Sequence, residues 1–323
     1  MIMLLIILTI PLIVVLLYYI RQSFIGKCHS DAKLVGKTII ITGANTGIGR
    51  ETAKDLAARG AKVILACRNT EKGYSAKQYI EQTTGHKEVF VHKLDLASLA
   101  SVREFVKEYK DNHDSLDILI NNAGVMCCPQ WETEDGFDMQ FGTNHLGHFL
   151  LTNLLLDMLK ESPAARIINL SSLAHIAPKQ LPLDDLNFKK RSFNTITAYS
   201  ESKLANVLFT KELAKRLKGT TVTSYAVHPG AVDTELLRYI TDTWPIVRFI
   251  VPLQQLVLRT LCKTSEQGAQ TTIYCAVMPG IEKESGSYYS DCALKKSSPL
   301  SYDEDLATKL WDVSCEMVGA SRN

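Results

Sequence analysis

The sequence lacks an excess of charge of either sign. Its 323 residues include 36 lysines and arginines against 34 aspartates and glutamates. Domains that bind nucleic acid usually carry a basic excess or a basic stripe, so this balance gives no sign of a nucleic-acid partner. The length suits one α/β domain with additional segments better than two domains of equal size.

Cysteine spacings typical of metal sites are also missing. None of the eight cysteines forms a C-x-x-C motif or pairs with histidine at zinc-finger spacing. The neighbouring residues Cys127 and Cys128 suit neither a disulfide nor a metal site. The sequence therefore predicts free thiols in a reducing compartment and no bound metal.

Charge is absent from the first twenty residues, MIMLLIILTIPLIVVLLYYI. About 20 apolar residues are enough to cross the ~30 Å hydrocarbon core of a membrane as a helix. A cleaved signal peptide is the main alternative, but the stretch has no positive start and no small-residue cleavage site. The sequence predicts an uncleaved transmembrane anchor over residues 1–20. The basic residues that follow it, beginning with Arg21, place the rest of the chain in the cytosol.

Strand and helix patterns alternate after a short polar linker at residues 21–36. Strands rich in β-branched residues, such as KTIIIT and AKVILAC, alternate with amphipathic helices, which is typical of a parallel sheet covered on both faces. We predict an α/β fold with a doubly wound parallel sheet of the Rossmann type, in one dinucleotide-binding catalytic domain over residues 37–323. An apolar insertion at residues 235–262 interrupts the pattern. It could be a substrate lid, a patch that touches the membrane or a packing helix.

The stretch TGANTGIG lies between the first predicted strand and the first predicted helix. Glycines at such a turn let the backbone approach a pyrophosphate, which then lies at the positive end of the helix. The predicted phosphate-binding residues are Gly43, Asn45, Thr46, Gly47, Ile48 and Gly49.

The ends of the next strands carry further predicted cofactor contacts. Arg68 ends the second strand, at the position where an NAD-binding protein would offer an acidic side chain to the ribose. A guanidinium suits the 2′-phosphate of NADP instead, so the predicted cofactor is NADP(H). The other predicted contacts are Asp95 and Leu96 after the third strand, and Asn122, Ala123 and Gly124 after the fourth.

Six motifs then occur in a fixed order: TGANTGIG, NNAG, NHLGHF, NLSS, YSESK and HPG. In this order they resemble the short-chain dehydrogenase/reductase family of the classical type, over about residues 36–290. The longer stretches around these motifs, which include LACRN, LINNAGVM and SKLANVLFTKELAKRL, are similar to the membrane-bound retinol dehydrogenases that prefer NADP. The resemblance implies an oxidoreductase with an NADP(H) cofactor, an apolar substrate and attachment to the endoplasmic reticulum. It also admits a homodimer.

The resemblance assigns four catalytic positions. The family's tyrosine and lysine fall on Tyr199 and Lys203, its serine on Ser172, with Ser171 less favoured, and its asparagine on Asn144. Tyr199 and Lys203 lie one turn apart on a helix, so the ammonium could favour the phenolate while the tyrosine exchanges a proton with the substrate. Tyr199 and Lys203 are also implied cofactor contacts, together with Pro229, Gly230 and Thr234.

Two features depart from this simple assignment. Glu201 stands between the tyrosine and the lysine, and its charge could alter substrate preference. The histidines His145, His148 and His175 have no acidic partner at the spacing of a catalytic triad, so we expect them to be packing or capping groups.

The functional hypothesis is an NADP-dependent enzyme that interconverts all-trans-retinol and retinal. A reducing cytosol keeps NADPH in excess, which favours retinal reduction in cells. Other lipid aldehydes or steroid ketones are alternative substrates for the same site. A membrane scaffold that binds NADP without turnover is an alternative from a different class.

Overall fold

A parallel sheet organises the described chain. The computed structural model describes residues 25–244 and 262–321. The strands are β1 Thr38–Thr42, β2 Lys62–Cys67, β3 Val89–Lys93, β4 Ile118–Asn121, β5 Arg166–Leu170, β6 Thr223–His228, β7 Tyr288–Ser290 and β8 Ala293–Lys295. They form one eight-stranded sheet in the order β3-β2-β1-β4-β5-β6-β7-β8. Neighbours are parallel as far as β7, and β8 pairs with β7 antiparallel.

Helices cover both faces of the sheet. They are α1 Gly47–Ala58, α2 Thr70–Thr84, α3 Leu99–Asn112, α4 Gly147–Glu161, α5 Thr195–Arg216, α6 Ser265–Val277 and α7 Glu304–Val318. Successive residues of a strand point to opposite faces, so Ile39 and Ile41 of β1 enter the core under α1, α2 and α6. Ile40 enters the core under α3, α4, α5 and α7. The predicted doubly wound parallel sheet in a single α/β domain is therefore confirmed.

The sheet has a crevice where the order of its strands reverses. β1 pairs with β2 on one side and with β4 on the other, so the chain winds outward in two directions from this point. The connections that leave the carboxyl ends of β1 and β4 diverge, and the space between them is where such sheets bind ligands.

Two elements differ from the sequence-based expectation. The sequence of residues 136–160 predicts helix throughout, but a short helix at Met139–Phe141 and a π-helical turn at Gly142–Leu146 precede α4. The strand β8 was not expected, because its three residues are half-buried or exposed and have no alternating pattern to reveal a sheet edge.

The described residues before β1 pack closely on the domain. Arg59 at the end of α1 donates from Nη1 to the carbonyls of Ser30 and Ala32, at 2.6 and 3.1 Å. Gly26 lies directly against the backbone of Asp291, at the turn between β7 and β8. Residues 26–32 therefore follow the surface of the domain toward the carboxyl edge of the sheet.

Two of the predicted segments fall largely outside the described residues. The proposed anchor at residues 1–20 does so completely, as do residues 245–261 of the apolar insertion. Within residues 25–244 and 262–321, no helix is both long and apolar enough to cross a membrane.

Candidate active site

A cleft of about 400 Å³ opens at the carboxyl edge of the sheet, beside β1 and β4. Its wall contains nearly all of the residues predicted to touch the cofactor: Gly43, Asn45, Thr46, Gly47, Ile48, Gly49, Arg68, Asp95, Leu96, Asn122, Ala123, Gly124, Tyr199, Lys203, Pro229 and Thr234. Gly230 follows Pro229 just outside this wall. The carboxyl ends of parallel strands meet at one edge, which brings these distant sequence positions together.

The turn between β1 and α1 has the form of a phosphate cradle. An added Cβ at Gly49 would lie 2.5 Å from Asn122 Nδ2 and 2.5 Å from the Gly43 carbonyl oxygen, so no larger residue fits. Thr46, the N-cap of α1, makes no side-chain capping bond, which leaves the first amides of the helix available to an anion. The turn and the cleft volume fit a dinucleotide with its pyrophosphate on α1.

Basic side chains lie at the α2 side of this cleft. Arg68 and Lys72 both contribute to the wall, at the end of β2 and in the first turn of α2. Nη2 of Arg68 donates to the Tyr239 phenol at 3.4 Å, and Lys72 Nζ lies 3.5 Å from a Glu235 carboxylate oxygen. The segment after Thr234 therefore crosses the cleft and meets these two cations.

Tyr199, Lys203 and Ser171 line the inner end of the cleft, whereas Ser172 and Asn144 lie outside its wall. Tyr199 and Lys203 are buried on α5, and Lys203 Nζ lies 5.7 Å from the centre of the Tyr199 ring. The ammonium also donates to the Leu170 carbonyl at the end of β5, at 3.2 Å. The Ser172 hydroxyl lies close enough to the Tyr199 phenol to lower the pKa of that phenol.

The two serines of NLSS have different partners. Ser171 is buried, and its hydroxyl donates to the backbone carbonyl of Lys203 at 2.8 Å. Ser172 is half-buried, and its hydroxyl accepts from Ala174 N at 3.2 Å while contacting the tyrosine. Of the two, Ser172 is therefore the serine whose hydroxyl meets Tyr199.

Burial controls the acid–base properties of this group. It raises the pKa of Tyr199 to about 12, against a smaller lowering by the hydrogen bond with Ser172. It also lowers the pKa of Lys203 to about 8. Burial therefore raises the pKa of Tyr199, whereas a neighbouring ammonium was expected to lower it. The phenol is protonated at pH 7, and it can donate a proton.

Asn144 lies in the π-helical turn, and protein groups satisfy its side chain. Its Oδ1 accepts from Val125 N at 2.8 Å, and its Nδ2 donates to the Val125 carbonyl and to Ser202 Oγ. An added Cβ at Gly124 would lie 3.2 Å from Asn144 Oδ1 and 3.6 Å from Lys203 Nζ. The amide and the ammonium therefore lie on the same side of the NNAG turn.

Glu201 lies away from this chemistry. Its two carboxylate oxygens accept from Arg191 Nη1 and Nη2 at 2.5 and 2.6 Å, and the carboxylate is almost completely buried. Arg191 also stacks over the Phe188 ring, with the guanidinium carbon 4.0 Å from its centre. This bidentate pair ties the loop before α5 to the helix that carries Tyr199.

Several residues of the cleft were missed from the sequence. Lys72, Arg238 and Tyr239 contribute to its wall, and Arg238 stacks on the Tyr239 ring with its guanidinium carbon 4.8 Å from the centre. No spacing rule marks Arg238 and Tyr239, because the segment after Thr234 reaches the cleft only through the tertiary fold. The signal available for these two was their basic and aromatic character close to the HPG motif, and for Lys72 it was a basic residue four positions after Arg68.

Comparison with known proteins identifies the family. The family described as "short chain dehydrogenase" matches residues 37–182 and 187–244. Retinol dehydrogenase 11 of Mus musculus is 52% identical over 294 residues, which cover 91% of this chain and 90% of the relative. Retinol dehydrogenase 13 of Homo sapiens is 50% identical over 303 residues, which cover 91% and 88% of the two chains.

A solved structure agrees with these relatives. The crystal structure of an uncharacterized protein from Mycobacterium paratuberculosis is 36% identical and has a TM-score of 0.73. The match covers 92% of this chain and 99% of that chain. With its strand order, its cofactor cleft and its Tyr199–Lys203 pair, the chain belongs to the short-chain dehydrogenase/reductase family of nicotinamide-dependent oxidoreductases.

Proposed function

We propose that the protein uses NADP(H) to interconvert all-trans-retinol and all-trans-retinal, with retinal reduction as the net direction in cells. The observation that carries the proposal is the pair Tyr199 and Lys203 in the wall of the cofactor cleft, with Ser172 beside the Tyr199 phenol. Identity of about 50% to retinol dehydrogenases over most of the chain supports a retinoid as the substrate.

Each side chain of the group has a distinct part in the proposed reaction. The nicotinamide, when bound, supplies a hydride to the aldehyde carbon or accepts one from the alcohol. The Tyr199 phenol, protonated at pH 7, donates its proton to the substrate oxygen during reduction. The Ser172 hydroxyl hydrogen-bonds the same oxygen as negative charge develops on it. Lys203, which is mainly an ammonium at pH 7, stabilises the phenolate left behind.

The preference for NADP(H) rests on the basic end of the cleft. Arg68 and Lys72 place two cations where the ribose of the adenosine half would end. A 2′-phosphate would be attracted by both side chains, whereas the hydroxyl of NAD(H) would gain much less.

Exposed apolar side chains near Tyr199 support an apolar substrate. Leu173 follows Ser172 and is 58% exposed, and Ile196 lies one turn before Tyr199 on α5 and is 42% exposed. Trp131 is 40% exposed, and its ring contacts the Tyr239 ring in the cleft wall. An extended hydrocarbon would cover these surfaces, which otherwise remain in contact with water.

Residues 1–20 are proposed as the membrane anchor, and residues 37–323 as the catalytic domain in the cytosol at the endoplasmic reticulum. The support for the anchor is the complete absence of charge in residues 1–20. A homodimer remains part of the proposal through the resemblance alone.

The first test is NADPH oxidation by the full-length protein in detergent, with all-trans-retinal as substrate. We expect turnover that is much weaker with NADH and that falls by at least about 100-fold in Tyr199→Phe, which removes the proton donor. Nonanal and a ketosteroid are assayed separately as alternative substrates. A kcat/KM for the ketosteroid equal to that for retinal would overturn the retinoid assignment, and tight NADPH binding without any turnover would favour the scaffold.

A further inference from the structure

Two histidines hold the peptide bond that follows Ser172. The Ser172 carbonyl oxygen is 2.6 Å from Nδ1 of His175. The amide N–H of Leu173, at the other end of the same peptide, donates to Nδ1 of His228 at 3.2 Å. One ring comes from the turn after β5, and the other from the last residue of β6.

The partners of each ring determine where its proton lies. A carbonyl can only accept a hydrogen bond, so His175 carries its proton on Nδ1, and its Nε2 accepts from Ser298 N at 2.9 Å. His228 has the opposite tautomer, because its Nδ1 accepts from two backbone amides, those of Leu173 and Gly230. Its proton therefore lies on Nε2.

Both rings are neutral at pH 7. Burial lowers the pKa of His175, helped by the charge of Lys211 and opposed by the bond to Ser172. Burial lowers the pKa of His228 to about 4, helped by Lys263 and by His175 and opposed by Asp291. The ring of Tyr288 also packs against His175, with the two centres 4.7 Å apart.

We propose that His175 and His228 are positioning residues that hold the Ser172–Leu173 peptide by its two polar atoms and so direct the Ser172 hydroxyl toward Tyr199. The inference rests on the proposed function, because it requires that Ser172 act in the reaction. It adds a pair of residues with opposite tautomers that act through Ser172 without touching the substrate. The Ser172 carbonyl also accepts from the His175 backbone amide at 3.1 Å, so an apolar side chain at His175 would remove one of its two bonds and the acceptor of Ser298 N. An apolar side chain at His228 would remove the acceptor of the Leu173 amide.

The kinetic test compares single and double variants in the retinal assay. His175→Phe keeps the ring shape and removes both nitrogens. We expect it to lower kcat by about ten-fold while the Kd for NADPH stays within about two-fold. His228→Asn should retain most of the activity that His228→Phe loses, because its amide oxygen can accept the same two bonds. His86→Phe is the matched control, since His86 bonds a backbone carbonyl at 2.9 Å outside the cleft.

A double variant separates positioning from general damage. If His175 acts through Ser172, then Ser172→Ala/His175→Phe will be no more than about two-fold slower than Ser172→Ala alone. A double variant whose loss equals the product of the two single losses overturns the inference and leaves the proposed function standing. Full activity of Ser172→Ala overturns the proposed role of Ser172 itself, and the inference with it.

A measurement without turnover checks the same geometry. Nitrogen NMR of histidine-labelled protein at pH 7.5 should find the proton of His175 on Nδ1 and that of His228 on Nε2, with signals assigned by their loss in the two phenylalanine variants. The opposite tautomer at either ring, or a cationic ring, overturns the inference. Because this readout needs no substrate, it tests the hydrogen bonds of both rings even if retinal is not turned over.

Discussion

Arg68 donates to Tyr239 at the outer end of the cleft, and it offers a direct test of cofactor choice. We expect Arg68→Ala to raise the KM for NADPH by about 10- to 100-fold, the worth of a hydrogen bond to a charged group. The KM for NADH should change by less than about three-fold, because NADH has no 2′-phosphate. Initial rates with varied cofactor at saturating retinal measure both.

Arg103→Ala is the control for the loss of an arginine. Its Nη2 donates to the Val318 carbonyl at 2.7 Å, away from the cleft. It should leave both KM values unchanged. If Arg68→Ala raised the KM for NADPH and the KM for NADH by the same factor, Arg68 would not bind the 2′-phosphate.

At the level of single residues, the sequence indicated which side chains belong to the candidate site better than it indicated which groups those side chains contact. Motif order placed Tyr199 and Lys203 without ambiguity, but Ser171 and Ser172 could be ranked only by resemblance. Their hydroxyls differ in the structure because one meets the α5 backbone and the other meets the phenol. His175 was expected to be a packing or capping group. Its bond to Ser298, 123 residues away, is a tertiary contact that local sequence does not encode.

The helix α5 brings Tyr199 and Lys203 to the cleft, and its first turn is capped by Asn194. The Oδ1 of this exposed residue accepts from Ile196 N and Thr197 N, each at 3.0 Å. We expect Asn194→Ala to lower the free energy of unfolding by about 1 kcal/mol. Because Tyr199 lies in the following turn, kcat should also fall, by roughly 2- to 10-fold. Urea unfolding and retinal turnover measure the two effects.

Asp303→Ala is the matched control, because Asp303 caps α7, which carries no predicted site residue. Its Oδ1 accepts from Leu306 N at 2.9 Å, and it is also exposed. This variant should lose a similar free energy of unfolding and keep its kcat. If the two variants are equally destabilised and equally active, the cap on α5 does not hold the geometry of Tyr199.

At the level of elements, the parallel strands were the easiest to predict. The central strands are short apolar runs buried on both faces, and β1 is TIIIT with all five residues buried, whereas the edge strand β3 is partly exposed. The π-helical turn at Gly142–Leu146 could not be read in this way. Its sequence suits an ordinary helix, and the deviation is visible only once Asn144 is bonded to Val125 and Ser202.

Burial keeps several histidines of the molecule neutral at pH 7, and His175 is one of them. Burial lowers the pKa of His145 to about 4, of His148 to about 3 and of His228 to about 4. In the unfolded chain the pKa is near 6.5, so below that pH the unfolded state binds protons that the folded state does not. Stability should therefore fall as the pH is lowered from 6.5 toward 4. Each ring contributes a loss on the order of 2 kcal/mol at pH 5.

One carboxylate opposes this loss. Burial raises the pKa of Asp138 to about 6, so its protonation in the fold returns roughly 1 kcal/mol at pH 5. We expect a net decrease of a few kcal/mol between pH 7.5 and pH 5, measured by urea unfolding. His145→Gln should flatten this dependence, whereas His29→Gln, at an exposed position, should not. A free energy of unfolding that is constant over this range would contradict the prediction.

The chain before β1 reaches the carboxyl edge of the sheet, where Gly26 lies against Asp291. Residues 21–24 separate the proposed anchor from the first described residue, and even fully extended they span at most about 14 Å. The cofactor cleft opens at the same edge. If residues 1–20 lie in a bilayer, the enzyme encounters retinal that is dissolved in the lipid. Its rate then depends on the mole fraction of retinal in the lipid. Adding inert lipid at a fixed total amount of retinal would then slow an enzyme whose chemistry had not changed.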